Sequence, residues 1–399
     1  MLSQQSLSHK QMKFPVYLDN AATTPVDPRV AEKMSSCLTM DGVFGNAASK
    51  THVYGWQAAE VVDIARNQVA DLVGADSREI VFTSGATESD NLAVTGLAFR
   101  FQGGERNIIV TSEIEHKAIL DSCSFAERLG YQVIRIKPDR EGRVTPEMLR
   151  EYLSDRVLLV TLMQANNEVG TINDIKALAE TAHEYGALFH SDCAQSAGKV
   201  RIDVREMPAD YLSFSGHKLY GPKGIGAFYI RNDAPRPEAV IHGGGHERGL
   251  RSGTLAVHQI AGMGLAFELA RQDFDAGNAR ATALRERLRH RICSLSGVTL
   301  NGSPRERLPG NLNLTFRGVD GEQFLLALTK IAVSTGSACT SASVEPSYVL
   351  RALGLSAAEA HASIRFSLGR FTTEEEIDFV ADYVKTEYLK LKAKGDFWK

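Results

Sequence analysis

The sequence predicts an α/β protein, with a mainly parallel sheet covered by helices on both faces and a smaller α+β domain after it. Three observations carry this. From about residue 57 to 230, short β-branched runs alternate with helical patterns. Those runs are almost continuously apolar, as strands buried on both faces must be. After about residue 293 the rhythm changes, and Asn311-Leu-Asn-Leu-Thr-Phe316 alternates like a half-buried strand.

The elements follow in chain order. The polar start, Met1 to Lys13, lacks the apolar core of a secretory signal and reads as a loose arm before Phe14. Strands are expected at Glu79–Thr83, Asn107–Thr111, Val157–Thr161 and Ala187–His190. Ligands collect at the carboxyl ends of such strands, so the residues that follow them matter most. Residues 257–293, rich in Ala, Leu, Glu and Arg, predict a long helix linking the domains. Gly321–Lys330 reads as a helix, Ser363–Ser367 as a strand, and helix returns from about Thr373.

Bulk composition removes several function classes. Lys plus Arg number 45 against 48 for Asp plus Glu, a net charge of −3, so nothing points to direct nucleic-acid binding. No apolar run is long enough to span a bilayer. The five cysteines, Cys37, Cys123, Cys193, Cys293 and Cys339, are odd in number and none share C-x-x-C spacing. Neither a zinc site nor a disulfide framework is indicated, and a reducing cytoplasm fits. His242 and His246 flank three glycines, but no third ligand is evident, so no metal is expected there; a tight loop is, which the resemblance given below would place at a dimer interface.

The strand ends hold the chemistry. After Glu79–Thr83 comes Ser84-Gly-Ala-Thr-Glu-Ser89 and an apolar helix, so Thr87 lies at a helix start, where free N–H groups suit a phosphate. An N-cap without a ligand explains the same residues. Glu113-Ile-Glu-His116 follows the second strand, and its histidine reads as structural when taken alone. Asn166-Asn167-Glu168 follows the third, where paired amides also suit a turn. The fourth ends in His190-Ser-Asp192-Cys-Ala-Gln195, and a buried Asp there needs a cation or a donor. Then comes Ser213-Phe-Ser215-Gly-His217-Lys218, followed by the rigid run Gly221-Pro-Lys-Gly-Ile-Gly226. A phosphate-binding helix start, an acid for a ring nitrogen and a lysine for an aldehyde are the three anchors pyridoxal phosphate requires.

The sequence resembles the cysteine desulfurases of the IscS/NifS type, class V aminotransferase-like enzymes that use pyridoxal phosphate. The resemblance covers nearly the whole chain. It is carried by Tyr17-Leu-Asp-Asn-Ala-Ala-Thr-Thr-Pro25, Thr83 to Asn91, Asp192 to Gln195, Ser213 to Gly226, His242 to Glu247, Arg251-Ser-Gly-Thr254, Ser334-Thr-Gly-Ser-Ala-Cys339-Thr-Ser and Ser363 to Gly369. It implies the fold type I transferase fold, a large domain with a mainly parallel seven-stranded sheet and a smaller α+β domain. The large cofactor-binding domain is expected at 26–274. Residues 1–25 and 275–399 would form the small domain with the catalytic-cysteine loop.

The same resemblance implies conversion of L-cysteine to L-alanine, with the sulfur held as a persulfide on Cys339. Lys218, Cys339 and His116 would be catalytic, His116 stacking on the cofactor ring. Ala86, Thr87, Ser215 and His217 would hold the phosphate, and Asp192 the ring nitrogen. Gln195 would meet the ring oxygen, and Asn167 both cofactor and substrate. Arg365 would clamp the substrate carboxylate, with Asn46 as a further substrate contact. Thr254 would be donated by the neighbouring subunit of a homodimer. Sulfur would pass to an iron–sulfur scaffold protein and to other acceptors, among them tRNA-thiolation carriers. Cys193 departs from the family's usual alanine and is expected to pack in the core. A selenocysteine lyase on the same framework is the alternative activity. An aminotransferase of this fold, or a sulfur carrier without catalysis, would not need Cys339 together with Lys218, Asp192 and His116.

Overall fold

The computed structural model describes residues 12–335 and 345–396. Its larger sheet has seven strands in the order Ile80–Thr83, Gly226–Ile230, Tyr211–Ser215, Leu188–Asp192, Val157–Thr161, Ile108–Ser112 and Gln132–Ile136. Gly226–Ile230 runs antiparallel to both its neighbours and the others run parallel. The carboxyl ends Thr83, Ser112, Thr161, Asp192 and Ser215 therefore share one edge, and Gly226 starts there. The chain steps from Ile108–Ser112 outward to Gln132–Ile136, then back to Val157–Thr161 on the other side. That reversal opens a crevice at the carboxyl ends, the place where open α/β sheets bind ligands.

The four strands foreseen from apolar runs are present, Val157–Thr161 unchanged and the other three with ends shifted by at most two residues. Gln132–Ile136, Tyr211–Ser215 and Gly226–Ile230 lie outside those runs. The first is an edge strand with an exposed or half-buried face. The last two sit in the motif-rich stretch whose polar residues mask the strand pattern.

Helices cover both faces of this sheet. Val53–Val73 is bounded by the His52 side chain, which accepts from Gly55 N at 3.2 Å, and by Gly74 at φ 71°. Ala86–Arg100 is buried nearly all round, with Leu92, Ala93, Val94, Leu97 and Ala98 against the sheet. The expected single helix over 257–293 is two, Val257–Gln272 and Phe274–Cys293, joined at Asp273. Gln272, Asp273 and Phe274 include neither glycine nor proline, so nothing in the composition marks the break.

The smaller sheet is antiparallel, in the order Ser363–Ser367, Asn311–Phe316, Val298–Asn301. Its core joins Leu312, Leu314, Phe316, Ile364 and Phe366 to Leu284, Leu288, Ile377, Val384 and Tyr388. Val16 and Leu18 belong to the same core, since Val16–Tyr17 pairs with Ile331–Ala332. Asn311–Phe316 is not half-buried as its alternation suggests; all six residues are buried. Its polar face packs on protein: Asn313 donates to the Glu168 carbonyl at 3.1 Å, and Thr315 meets Asn301 and Ser363. The helix expected to reach Lys330 ends at Ala327. Glu374–Asp396 begins at a Thr373 cap, as expected. Among the described residues no helix is long and apolar enough to cross a membrane.

Candidate active site

A cavity of about 570 Å³ opens at the shared strand ends. It gathers Ala86, Thr87, His116, Asn167, Asp192, Gln195, Ser215, His217, Lys218 and Arg365 from far-apart segments. Asn46 and Thr254 do not line it; both are exposed elsewhere on this chain. Cys339 lies outside the described residues.

One end of the cavity is the start of helix Ala86–Arg100. Its N-cap is Gly85, and no side chain caps its first N–H groups. Uncapped donors at the positive end of a helix dipole are a ready anion seat. Gly226 allows the approach: a Cβ on it would stand 2.5 Å from the Gly85 Cα. Ser215 and His217 come from the strand end and short turn alongside. Burial, then the charge of Lys218, pushes the His217 pKa down to about 4, so the ring is neutral at neutral pH. Its Nδ1 lies 3.1 Å from Thr23 Oγ1.

Lys218 closes the same turn. Its Nζ donates to the carbonyls of Ala21 and Ala22, at 2.6 and 2.7 Å. Gln195 donates to the same Ala21 carbonyl at 2.9 Å. The segment Ala21–Thr23 thus forms the wall that aims the lysine, a role with no signature in side-chain type.

At the other end stands Asp192, buried, with one oxygen accepting from Ala194 N at 2.8 Å. Burial pushes its pKa up, while His116, the Ala194 N–H and Lys218 pull it back. Cys193, next in line, turns away into the large core, where burial pushes its thiol up to about 12. His116 caps helix Lys117–Arg128, its Nδ1 accepting from Ala118 N at 3.2 Å. Asn166 spends its side chain on the turn, accepting from Glu168 N and Val169 N. That leaves Asn167 for the cavity.

Arg365 enters from the smaller sheet and is 2% exposed. Its guanidinium donates to the Asn167 carbonyl at 2.9 Å and to Asp19 at 2.8 Å. A fork of donors in the cavity wall suits a carboxylate, which here would share the group with Asp19. Arg365→Lys keeps the charge and loses the fork. The KM for a substrate bearing a carboxylate should rise about 10–100-fold, the equivalent of one charge-assisted hydrogen bond of about 1.5–3 kcal/mol. Steady-state kinetics check this, and an unchanged KM would contradict it.

Sequence reasoning missed Asp19, the Ala21–Thr23 wall, Asp90 and Glu115. The first two lie in a quoted motif, but their roles are a pairing across the fold and a set of backbone carbonyls. Asp90 and Glu115 sit in motifs without any mark of burial.

An uncapped helix start, a neutral imidazole and a serine at one end, an acid at the other and an amine between fit pyridoxal phosphate. Residues 16–380 match the family described as aminotransferase class-V. The chain is 56% identical over 388 residues to cysteine desulfurase IscS of Pseudomonas aeruginosa, covering 97% of this chain and 96% of that one. A solved structure described as a NifS-like protein matches with TM-score 0.86 and 35% identity, over 94% of this chain and 99% of its own. A structure described as SspA in complex with cysteine matches with TM-score 0.80 and 37% identity, over 90% of this chain and 100% of its own. The chain belongs to the class-V aminotransferase family and, within it, to the pyridoxal-phosphate-dependent cysteine desulfurases.

Proposed function

We propose that this enzyme takes sulfur from L-cysteine, leaves L-alanine, and holds the sulfur as a persulfide on Cys339. The carrying observation is the meeting of Lys218, Asp192 and the uncapped start of helix Ala86–Arg100 in one cavity. When bound, pyridoxal phosphate supplies an aldehyde for the substrate amine and an electron-poor ring that accepts charge from Cα. The chain's residues do the rest. The helix start, Ser215 and His217 would hold the phosphate. Asp192 would keep the ring nitrogen protonated. Arg365 and Asn167 orient the carboxylate, and the Lys218 amine moves the Cα proton. His116 would stack on the ring and serve proton transfer.

The balance is redox-neutral. The Cβ–S bond of cysteine breaks, an S–S bond forms to Cys339, and Cβ gains a proton as alanine forms. Two observations support Cys339. The family motif around it is small and polar. Among the described residues, Cys37, Cys123 and Cys193 are buried, and Cys293 does not line the cavity. Burial also pushes the Cys123 and Cys193 thiols up to about 12, far from the thiolate a nucleophile requires.

The persulfide would pass to an iron–sulfur scaffold or another acceptor protein in the cytoplasm. The exposure of Asn46 and Thr254, away from the cavity of their own chain, supports a homodimer in which a second copy brings such residues to the site. Large-core and small-core membership supports division into 26–274 and 1–25 with 275–399. The test is mass analysis of the Cys339 peptide after adding L-cysteine to the holoenzyme. One added sulfur atom is expected there; an unmodified Cys339 with alanine formed would refute the assignment.

A further inference from the structure

A buried acid beside the ring end of the cavity takes no part in the steps above. Asp90 lies one turn into helix Ala86–Arg100 and is fully buried. Neither of its carboxyl oxygens has a hydrogen-bond partner among the described residues. One oxygen lies within 4.8 Å of an Asp192 oxygen and of a His116 ring nitrogen. His190 Nε2 is 3.8 Å from one of the Asp90 oxygens.

His190 offers it no charge. The ring is wedged between Thr161 Oγ1, at 2.8 Å from Nδ1, and Ser213 Oγ, at 2.9 Å from Nε2. Burial pushes its pKa down to about 3, so it is neutral at neutral pH. Glu115 adds a further buried carboxyl. It accepts from Met163 N at 2.9 Å with one oxygen, and the other has no hydrogen-bond partner among the described residues. Desolvation raises Asp90 and Glu115 well above the usual carboxylate range, and the charge of Asp192 raises both further.

Two buried carboxylates this close cannot both ionise without a cation between them, and the nearby His116 acts on Asp192 rather than on Asp90. The geometry decides which one carries the charge. Asp192 accepts a backbone N–H and faces the open cavity, where a cationic ring arrives. Asp90 makes no hydrogen bond of normal geometry among the described residues, and the nearby Ser213 hydroxyl lowers its pKa less than burial and the Asp192 charge raise it; it does not line the cavity. We propose that Asp90 is a positioning residue, a carboxylic acid that keeps its proton so that the negative charge of the pair resides on Asp192. This rests on the reading of Asp192 as the partner of the ring nitrogen. It also gives helix Ala86–Arg100 two tasks, with its first turn seating the phosphate and its second tuning the acid at the opposite end.

The test is infrared spectroscopy of the holoenzyme with ¹³C-labelled aspartate carboxyls, read beside cofactor affinity. A protonated-carboxyl band that shifts with the aspartate label is expected in wild type and absent from Asp90→Asn. The label excludes Glu115. Asp90→Asn, neutral and nearly isosteric, should bind pyridoxal phosphate within about threefold of wild type with an unchanged visible spectrum, because the charge of the pair is preserved. Should Asp90→Asn not fold, Asp192→Asn carries the assignment: the labelled band is expected to survive there, and its loss would place the proton on Asp192 and overturn the proposal. The absence of any label-sensitive protonated band, or its survival in Asp90→Asn, would overturn the proposal. Asp192→Asn is the control: wild-type affinity and spectrum in that variant would sink the Asp192 reading itself, whatever the Asp90 band does.

Discussion

Lys218→Ala should fold, lose pyridoxal phosphate on dialysis, and turn over L-cysteine slower by about 10³-fold or more, since a positioned acid–base group alone contributes about 10²–10⁴-fold. The amine is the nitrogen aimed into the cavity by the Ala21 and Ala22 carbonyls. Removing it leaves the Ala22 carbonyl without that donor, while Ala21 keeps Gln195, a cost of about 1–3 kcal/mol if the Ala22 oxygen stays dry. The large sheet and its core do not depend on that contact, so thermal unfolding should shift by only a few degrees. Lys218→Arg separates charge from chemistry. Its guanidinium stays protonated and cannot serve as nucleophile or base, so it should be as inactive as alanine. Turnover within tenfold of wild type in either variant would contradict the role.

Cys339→Ser should leave cofactor binding intact and lower sulfur transfer by about 10³-fold, because a hydroxyl near neutral pH is a far weaker nucleophile than a thiolate. The two variants should therefore fail differently. One loses the cofactor's tether; the other keeps it and stalls at the carbon–sulfur bond. Absorbance of the purified protein and sulfide release under a thiol reductant separate these outcomes. Undiminished sulfide release from Cys339→Ser would mean that another group receives the sulfur. No cysteine among the described residues is placed to do so, since none lines the cavity.

Much of this site was legible in the sequence because the parallel sheet converts chain order into position. Thr87, His116 and Asn167 each follow a strand and Asp192 and Ser215 each end one, and the fold brings those ends to one edge. The strand Gly226–Ile230 was hidden by its glycine-rich lead, yet its reversed direction is what sets Gly226 against Gly85. The Arg365–Asp19 pair joins positions far apart in the chain through the small sheet, and no local pattern announces such a pairing. Backbone acceptors such as Ala21 and Ala22 leave no trace in residue type. Asp90 reads as an ordinary polar helix residue until the structure buries it. Thr254 and Asn46 were named by resemblance, and a single chain does not bring them to the cavity.

The central claim is that Lys218 carries the cofactor. It has credible competitors: Lys223 lines the same cavity, and burial lowers the Lys199 amine to about 7, which makes it a ready nucleophile. Borohydride reduction of the holoenzyme fixes the cofactor on whichever amine holds it, and peptide mapping then reads the position. The account predicts the adduct on Lys218 alone; an adduct on Lys199, Lys223 or any other lysine would contradict it.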